Sequence, residues 1–479
     1  MSIATACQQR RRRASPQTTS ADPSDSTAWS SGHHGRTLWC GRDDAHRRPV
    51  AQRGRSPVGE SSLRLLPDLS PLRDSRDLRL VVGGNFLADL GAQATLVALP
   101  FQVYVLTRSA FLVGLLGAAE LVPLVTLSLL GGAFADRYDR RKLLLAAQAG
   151  VLVGAGGLAV AAFVGRPPVA LLYLLAAVLA GFNALQNVAE SAMVPNLVDR
   201  ERLPQALAVN YGLYALTMVL GPGLGGVMIG AFGVQAAYTV NVAGCLAFTV
   251  AILAIGPQSP AVVDAHEPVL RAIREGLRYV RGNRALVGSF AIDLVAMTFG
   301  MPRAVFAVFA VGIFHAGAAG TGVLYAAVAA GATAAAVLTG WLKHARRLGL
   351  IVIWAVTVWG AAIAVAGLMS SLWAAAALLA VAGAADSVSA ICRSTINQTV
   401  TPDHMRGRMS AVFSLVVSGG PRLGDLESGT VAGAFGVRVS IVSGGLLCLL
   451  GVAGIVVAFP QLARFDTAVA TGRLAAEVT

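Results

Sequence analysis

The segment from Ala110 to Lys142 reads AFLVGLLGAAELVPLVTLSLLGGAFADRYDRRK. Its first part is apolar apart from Glu120, whereas its last eight residues, ADRYDRRK, carry six charges. A helix needs about 20 mainly apolar residues to cross the hydrocarbon core. Unpaired backbone polar groups are so costly in lipid that such a segment must be helical. The segment therefore predicts a membrane-spanning helix that ends in a charged loop.

Similar apolar segments recur along the rest of the chain. The 479 residues are 55% hydrophobic and 13% charged, with a mean hydropathy of +0.65, values that are typical of a membrane protein. The 53 glycines suit close helix packing. The sequence predicts an all-α membrane protein with twelve transmembrane helices. The predicted spans are 79–106, 111–134, 143–165, 169–190, 207–231, 234–256, 286–313, 318–341, 348–370, 372–392, 410–434 and 437–459.

The positions of the basic residues predict the orientation of these spans. Of the 38 Lys and Arg residues, 14 precede residue 80 and 19 lie in even-numbered connections or in the C-terminal tail. Three lie in odd-numbered connections and two inside spans. Basic residues concentrate on the cytoplasmic side of membrane proteins. We therefore expect a multi-pass protein of the cell (inner, cytoplasmic) membrane with both termini in the cytoplasm.

Composition excludes several other classes of protein. A net charge of +13 is compatible with nucleic-acid binding only where a basic face lies on a soluble domain, and here the basic residues flank spans. The five cysteines lie in the N-terminal tail or in spans without a CxxC pair, so neither a disulfide framework nor a metal site is predicted. The spans contain no HExxH and no GxSxG motif, so neither an enzyme nor a cofactor is expected.

The spans divide the chain into five segments. Residues 1–72 lack a sustained hydrophobic period and are predicted to be a disordered basic tail; a wrongly assigned translation start is the alternative. Residues 73–256 and 286–459 form two six-helix halves with the substrate path between them. Residues 257–285 form a cytoplasmic connection, and residues 460–479 form a cytoplasmic tail.

The second part of the 257–285 connection has the period of an amphipathic helix. Apolar residues occupy one side and arginines the other: Leu270, Ile273, Leu277 and Val280 against Arg271, Arg274, Arg278 and Arg281. Such a helix lies at the membrane interface, where its arginines meet anionic headgroups. A plain linker is the alternative. Membrane lipids are thus an expected partner.

The charged loop after the second span resembles motif A, the gating loop of the major facilitator superfamily. The residues that carry the match are Gly132, Asp136, Arg137, Arg140 and Arg141. Asp139 stands where the motif has glycine, although Asp tolerates turn conformations well. A simple topology signal made of four basic residues is the alternative. The loop after the eighth span, from Gly340 to Arg347, resembles a second copy that has kept its glycine and basic end but has lost the acid.

The fifth span resembles a second motif of the same superfamily, motif C, which marks exporters that exchange substrate for protons. The matching residues are Gly221, Pro222, Gly225 and Gly226, while Thr217 replaces an upstream glycine of the pattern. Glycines leave one helix face without side chains, so that another helix can approach closely, and proline bends the helix. Ordinary packing of small residues is the alternative. The motif favours export over uptake.

Several further stretches resemble one branch of the superfamily, that of enterobactin exporters and macrolide-efflux proteins. They are Val97–Pro100, Gly132–Lys142, Pro195–Val198 and Pro402–Arg408. The resemblance covers roughly residues 72–460. It implies two pseudo-symmetric halves, alternating access and a siderophore or an amphipathic drug as substrate.

Ionisable residues inside spans are expensive and mark functional sites. The candidates for proton coupling or substrate binding are Asp89, Glu120, Asp293, Arg303, Asp386, Arg422, Asp425 and Glu427. Arg422 and Asp425 are three residues apart and share a helix face, so they are predicted to form the coupling ion pair; a purely structural salt bridge is the alternative. Asp293 and Asp386 are expected near the cytoplasmic span ends.

Together these features predict a proton-coupled exporter of a small molecule that works as a monomer. Its expected partners are that substrate, protons and lipids, and no nucleic acid. An uptake transporter of the same fold is one alternative, and the motif in the fifth span disfavours it. A membrane receptor or scaffold is another, although neither needs charges deep in both halves.

Overall fold

The computed structural model describes residues 70–194, 197–199, 201–256, 269–402 and 405–466. Within these ranges the secondary structure is helical, without a strand. Of the tail predicted at 1–72, residues 1–69 lie outside the described residues. Of the tail predicted at 460–479, residues 467–479 lie outside them.

The first half contains a short helix followed by six long ones. Ser75 and Ser109 precede the first two long helices, and each hydroxyl accepts a hydrogen bond from an amide of the first turn, which satisfies a donor that the helix itself cannot. The bounds are α1 Ser70–Asp74, α2 Arg76–Thr107, α3 Ala110–Arg137, α4 Arg140–Val164, α5 Val169–Met193, α6 Leu203–Phe232 and α7 Val234–Leu253.

The second half follows α8, which spans Val269–Gly282. A short 3-10 helix, Thr339–His344, continues from α11 towards α12. The bounds are α9 Arg284–Phe299, α10 Phe306–Gly312, α11 Gly317–Leu338, α12 Leu348–Leu368, α13 Leu372–Val400, α14 Arg406–Phe435, α15 Val437–Ala458 and α16 Pro460–Ala463.

Ten of the described helices are long and apolar enough to cross a membrane: α2 to α7, α11 to α13, and α15. The two remaining spans are unusual for different reasons. The seventh is divided into α9 and α10, and the eleventh, α14, contains charged residues in its middle. Because α14 has 30 residues, it is about 45 Å long and can cross the bilayer. The fold is therefore that of an all-α membrane protein with twelve transmembrane helices.

The prediction of one continuous helix over 286–313 is wrong. Helix α9 ends at Phe299 and α10 begins at Phe306. The break contains Pro302, which has no backbone N–H and cannot continue the helical hydrogen bonding. Irregular backbone at membrane depth is tolerated only where protein or a cavity surrounds it.

Side chains from neighbouring helices bond the open backbone of this break. Trp359 Nε1 in α12 donates to the Gly300 carbonyl at 2.8 Å. The Tyr325 hydroxyl in α11 donates to the Arg303 carbonyl at 2.8 Å. The break is thus a packed element of the second half, because its carbonyls are bonded to two other helices.

The amphipathic segment forms helix α8, and one of its sides packs against protein. Ile273 and Val280 are buried, whereas Arg274 is exposed. Glu275 on α8 forms an ion pair with Arg408 of α14 at 2.9 Å. The helix is therefore attached to the second half by apolar burial and by a charge pair.

The two halves meet along two helix pairs, α3 with α14 and α6 with α11. These are the second span with the eleventh and the fifth with the eighth, as expected for two repeats related by a pseudo-two-fold axis. Glycines allow the close approach: a Cβ on Gly114 would lie 2.6 Å from Gly429 Cα, and one on Gly226 would lie 2.9 Å from Gly322 Cα.

These glycine contacts all lie towards one end of the bundle, away from the loop between α3 and α4. Towards the loop end, a cavity of about 390 Å³ lies among α3, α5 and α14. Its polar lining is Ser128, Asn183, Asn187, Ser414, Ser418 and Arg422. The halves are thus in close contact at one end and separated by a polar cavity towards the other.

Candidate functional site

A central cavity of about 140 Å³ lies between the two halves. It adjoins the loop-end cavity, with which it shares Asn183 and Arg422. Acids and amides line its first-half side, and both arginines come from the second half. The ionisable and polar residues that line it are Asp89, Thr95, Glu120, Gln148, Asn183, Gln186, Asn241, Arg303, Tyr325, Arg422 and Asp425.

Arg422 connects the two halves across this cavity. Its Nη2 lies 2.9 Å from Glu120 Oε2 in α3, and its Nη1 lies 3.7 Å from Asp425 Oδ2 in its own helix. The predicted Arg422–Asp425 pair therefore exists, but the shorter contact is with an acid of the other half. We call Glu120, Arg422 and Asp425 the cross-half cluster.

Close backbone packing holds the cross-half cluster in place. A Cβ on Gly117 of α3 would lie 2.5 Å from the Arg422 carbonyl oxygen and 2.7 Å from Asp425 Cβ. Only glycine allows α3 to approach α14 this closely at the level of the charges. The helix contact and the ion pair therefore lie side by side, and separating the helices would break both.

The break in the seventh span supplies the remaining partners of Asp425. The backbone N–H of Ala304 donates to Asp425 Oδ1 at 3.0 Å. Arg303, the preceding residue, lines the same cavity. A continuous helix would engage this N–H in its own hydrogen bonding, so the interruption makes the amide available to the carboxylate.

In the first half, the predicted Asp89 is accompanied by an acid that sequence reasoning missed. Asn85 Nδ2 donates to Asp89 Oδ2 and to Glu190 Oε1, each at 3.1 Å. Glu190 lies in α5 and is 7% exposed. It was missed because the predicted fourth span ended at residue 190, which placed the glutamate at a boundary. One amide group therefore bridges two carboxylates of the first half.

Asp293 and Asp386 form a second charge group, with Arg393. Arg393 Nη2 lies 2.8 Å from Asp293 Oδ1 and 3.9 Å from Asp386 Oδ1, and Nη1 donates to Ser389 Oγ at 2.8 Å. The Asp293 and Arg393 side chains are 1% and 2% exposed. We call Asp293, Arg393 and Asp386 the second-half cluster. Both acids were expected near the cytoplasmic span ends. Asp293 is buried among second-half helices, whereas the Asp386 side chain is 20% exposed.

Sequence reasoning missed Arg393 because the predicted tenth span ended at residue 392. Helix α13 in fact continues to Val400. A helical pattern was present in the sequence, since residues 386, 389, 393 and 396 follow one another at spacings of three or four and share a helix face. That pattern, rather than local hydropathy, could have found the arginine.

The loop after α3 is held to the end of α7. Arg141 Nε donates to the Ile252 carbonyl at 3.0 Å, and Nη2 donates to the Leu253 carbonyl at 2.8 Å. A cation at the C-terminal end of a helix satisfies free carbonyls and the helix dipole. Of the other motif residues, Gly132 and Arg140 lie at the end of α3 and the start of α4, and the side chains of Asp136 and Arg137 lie outside the described part.

Asp139, the departure from the motif, caps helix α4. Its Oδ1 accepts from the backbone N–H groups of Arg141 and Lys142, at 2.9 and 3.2 Å. Its φ is −54°, so the position needs no glycine. The aspartate therefore fits the turn and stabilises the next helix.

The small residues of the fifth span pack α6 against two neighbours. Cβ atoms on Gly221 and Gly225 would lie 2.4 Å from Gln93 Cβ and 2.7 Å from Ala94 Cα of α2. Gly226 faces α11, and the Pro222 carbonyl lies beside Gly322 of the same helix. Gly221 and Gly225 thus pack α6 within the first half, whereas Pro222 and Gly226 lie where the first half meets the second.

The last candidate, Glu427, lies in α14 and has neither an ion pair nor a hydrogen bond with a described side chain. Cys245, Cys392 and Cys448 are buried free thiols. The described residues contain no group of three or more His, Cys, Asp or Glu side chains placed to hold a metal ion.

The fold is that of solved membrane transporters. A bacterial homologue of the human lysosomal transporter Spinster, in an inward-facing and unoccupied conformation, matches with a TM-score of 0.66 and 15% identity, over 82% of this chain and 98% of that one. The nucleoside transporter NupG matches with a TM-score of 0.60 and 14% identity, over 81% and 98%. At these identities the likeness concerns the fold alone.

Closer relatives are similar over most of their sequence. The enterobactin exporter EntS of Citrobacter koseri is 31% identical over 393 residues, which cover 81% of this chain and 92% of that protein. EntS of Salmonella typhi is 32% identical over 410 residues, covering 84% and 96%. The family model described as transmembrane secretion effector matches residues 67–475. The chain therefore belongs to the transmembrane secretion effector family of the major facilitator superfamily, and it is a multi-pass membrane transporter rather than an enzyme.

Proposed function

We propose that this transporter exports a small molecule from the cytoplasm in exchange for protons. The observation that carries the proposal is the cross-half cluster, in which Glu120 of one half and Asp425 of the other share Arg422 inside the central cavity. Charges at membrane depth are costly and mark transport pathways. Here they lie where the two halves must separate for a substrate to pass.

A proton would change the pairing within this cluster. If Asp425 is protonated, its attraction to Arg422 is lost and Arg422 keeps only Glu120. If Glu120 is protonated, the charge link between the halves is lost. In either case the protonation state alters the energy of separating α3 from α14. This is what coupling requires, because a ligand shifts an equilibrium only by binding two states differently.

The contacts between the halves support alternating access. We assign the end that carries the α3–α4 loop to the cytoplasm, together with both termini, because basic residues concentrate there. The described state then has its periplasmic end closed by the glycine contacts and a polar cavity towards the cytoplasm. The membrane is the bacterial inner membrane, and the functional unit is a monomer.

For the substrate we propose a siderophore or an amphipathic drug. The relatives named enterobactin exporters support the first. The cavity lining supports an amphipathic molecule in general, since it contains both leucines such as Leu99 and amides such as Gln148 and Asn241. Small-molecule pockets usually enclose roughly 300–1,000 Å³. The cavity of about 140 Å³ must therefore widen to hold such a substrate.

The coupling is tested with purified protein in liposomes that carry a pH gradient. Substrate movement should follow the imposed gradient, with protons moving in the opposite direction. Asp425→Asn should reduce gradient-driven transport at least about tenfold, because the amide cannot exchange a proton, while substrate exchange without a gradient persists. Glu427→Gln, in the same helix, is the matched control and should transport normally. Unchanged gradient-driven transport by Asp425→Asn would remove this residue from the mechanism.

The substrate is tested by comparing the medium of a deletion strain with that of its parent, with and without iron limitation, alongside a drug-susceptibility panel. A secreted iron chelator that is missing from the medium would favour the siderophore. Increased drug sensitivity alone would favour multidrug efflux. If the strain instead fails to take up a nutrient, the protein is an importer, since the fold itself does not set direction. No change in any of these tests would favour a receptor or scaffold.

A further inference from the structure

A groove on the outer side of the second half lies between α12 and α13. It is an open groove of about 850 Å³, lined along its length by apolar side chains, among them Leu350, Trp354, Val358, Val381 and Val388. None of its lining residues lines the central cavity. The groove is therefore separate from the central cavity and opens on the outer surface of the helix bundle.

The exposed residues of the groove are those expected to contact lipid. Trp354 is 68% exposed, and Val358 and Val381 are 44% and 47% exposed. From Arg347 to Val358 the groove follows the start of α12 for about 16 Å, which is roughly half of the ~30 Å hydrocarbon core. Its length therefore matches an acyl chain within one leaflet.

Two arginines lie at one end of the groove. Arg346 and Arg347 precede α12 directly and belong to the groove lining. The Arg347 side chain forms no hydrogen bond or ion pair with any residue of the described part. Two guanidinium groups above an apolar groove match a molecule with an anionic head and an apolar tail, since arginine binds phosphate through paired N–H groups.

The start of α12 adds to this complementarity. In the first half, the equivalent helix α4 is capped by Asp139, whose carboxylate accepts from two amides of the first turn. In the second half, the cap position is occupied by Arg347, and no side chain caps the helix. The N-terminus of a helix favours a negative charge. The first repeat therefore has an aspartate at this cap position, whereas the second has an arginine. The start of α12 is thus suited to bind an anion that is not part of the protein.

We propose that this groove binds an anionic phospholipid, with the phosphate between Arg346, Arg347 and the start of α12 and an acyl chain along Trp354. The loop that resembles a decayed motif A thus has a role of its own. In the first half, the basic end of the loop binds the end of α7 through Arg141. Here, its arginines are exposed and line the groove. The occupant is a lipid rather than a soluble anion because the apolar groove continues directly from the arginines.

The test measures lipid retained by the purified full-length protein. Detergent-solubilised protein is equilibrated with phosphatidylglycerol or with phosphatidylcholine of the same acyl chains, and bound lipid is counted by native mass spectrometry. Phosphatidylglycerol should be retained at least tenfold more strongly. The double variant Arg346→Gln/Arg347→Gln should lose roughly tenfold of this preference. Arg284→Gln/Arg464→Gln, two exposed arginines at the same end of the bundle that do not line the groove, is the matched control and should keep it.

A second variant separates the groove from the charges. Val381→Trp fills the groove, keeps both arginines and should weaken retention of phosphatidylglycerol severalfold. The thermal melting of each variant is compared without added lipid, so that a folding defect is recognised. The proposal would be overturned if the protein retained both lipids equally, or if the control variant lost the same preference for phosphatidylglycerol. It would also be overturned if inorganic phosphate displaced the bound phosphatidylglycerol completely.

Discussion

The cross-half cluster and the second-half cluster contain the same chemistry in different places. Each consists of one arginine and two carboxylates at membrane depth. In the first, the side chains of Arg422, Glu120 and Asp425 are 23%, 14% and 8% exposed and line a cavity. In the second, those of Arg393 and Asp293 are 2% and 1% exposed, and that of Asp386 is 20% exposed. One cluster joins the two halves, and the other joins helices of the same half.

This difference predicts which ion pairs break during transport and which persist. Opening the closed end of the bundle pulls α3 away from α14 and breaks the Glu120–Arg422 pair. Rigid-body motion of a half leaves α9 and α13 together, so the contacts of Arg393 persist. Buried ion pairs contribute little net stability, yet losing one partner costs much. We therefore expect the first cluster to govern transport and the second to govern folding of the second half.

The largest effect is expected from exchanging charges in the cross-half cluster. Arg422→Glu should abolish transport, with at least a hundredfold loss, because the cluster would then consist of three acids without a cation between them. Glu120→Arg combined with Arg422→Glu restores opposite charges across the 2.9 Å contact and should recover part of the activity. Transport is measured in liposomes, with protein abundance determined in parallel.

Full activity of the single variant would contradict the role of this pair. Absence of any recovery in the double variant would indicate that the orientation of the charges, and not only their attraction, is required.

Substitutions in the second-half cluster are expected to lower the stability of the protein rather than to impair the transport mechanism. Arg393→Met leaves the buried Asp293 carboxylate and the neighbouring Asp386 carboxylate without their cation. Losing one partner of a buried pair costs about 3–5 kcal/mol, so abundance and melting temperature should fall. Adding Asp293→Asn and Asp386→Asn removes the unpaired charges and should restore both. The restored triple variant should transport at least half as fast as the parent. If it folds but does not transport, the cluster takes part in coupling and the distinction between the two clusters fails.

The smallest effect is expected at the glycines that close one end. A Cβ on Gly114 would lie 2.6 Å from both Gly429 Cα and the Asp425 carbonyl oxygen, backbone atoms that cannot rotate away. Gly114→Ala should weaken the closed end and slow transport roughly threefold. Gly156→Ala is the control, because a Cβ there meets no atom within 4 Å and alanine favours helix.

The native thiol of Cys245, which lines the central cavity, reports the state of the closed end. An impermeant maleimide added outside intact cells should label Cys245 faster in Gly114→Ala than in Gly156→Ala. Cys245→Ser provides the background. Equal labelling rates would show that this contact does not close the cavity.

The sequence predicted those parts of the site that follow from local spacing. Arg422 and Asp425 are three residues apart, so their shared face follows from helix geometry. Glu120 was identified as a costly charge in a span, but its partnership with Arg422 was not predicted, because the two are about three hundred residues apart. Arg393 was placed outside its span because hydropathy averages over a window and cannot recognise a charge that two carboxylates compensate.

Membrane insertion, the number of spans, the charge pattern of the loops and the family were determined by sequence alone. Each is a property of a short segment in contact with lipid or water, so it can be read locally. Only the tertiary structure decided which charges pair between different helices, where the seventh span is interrupted and which end of the bundle is closed. These depend on how α3, α9 and α14 pack, and packing is set jointly by side chains from distant parts of the chain.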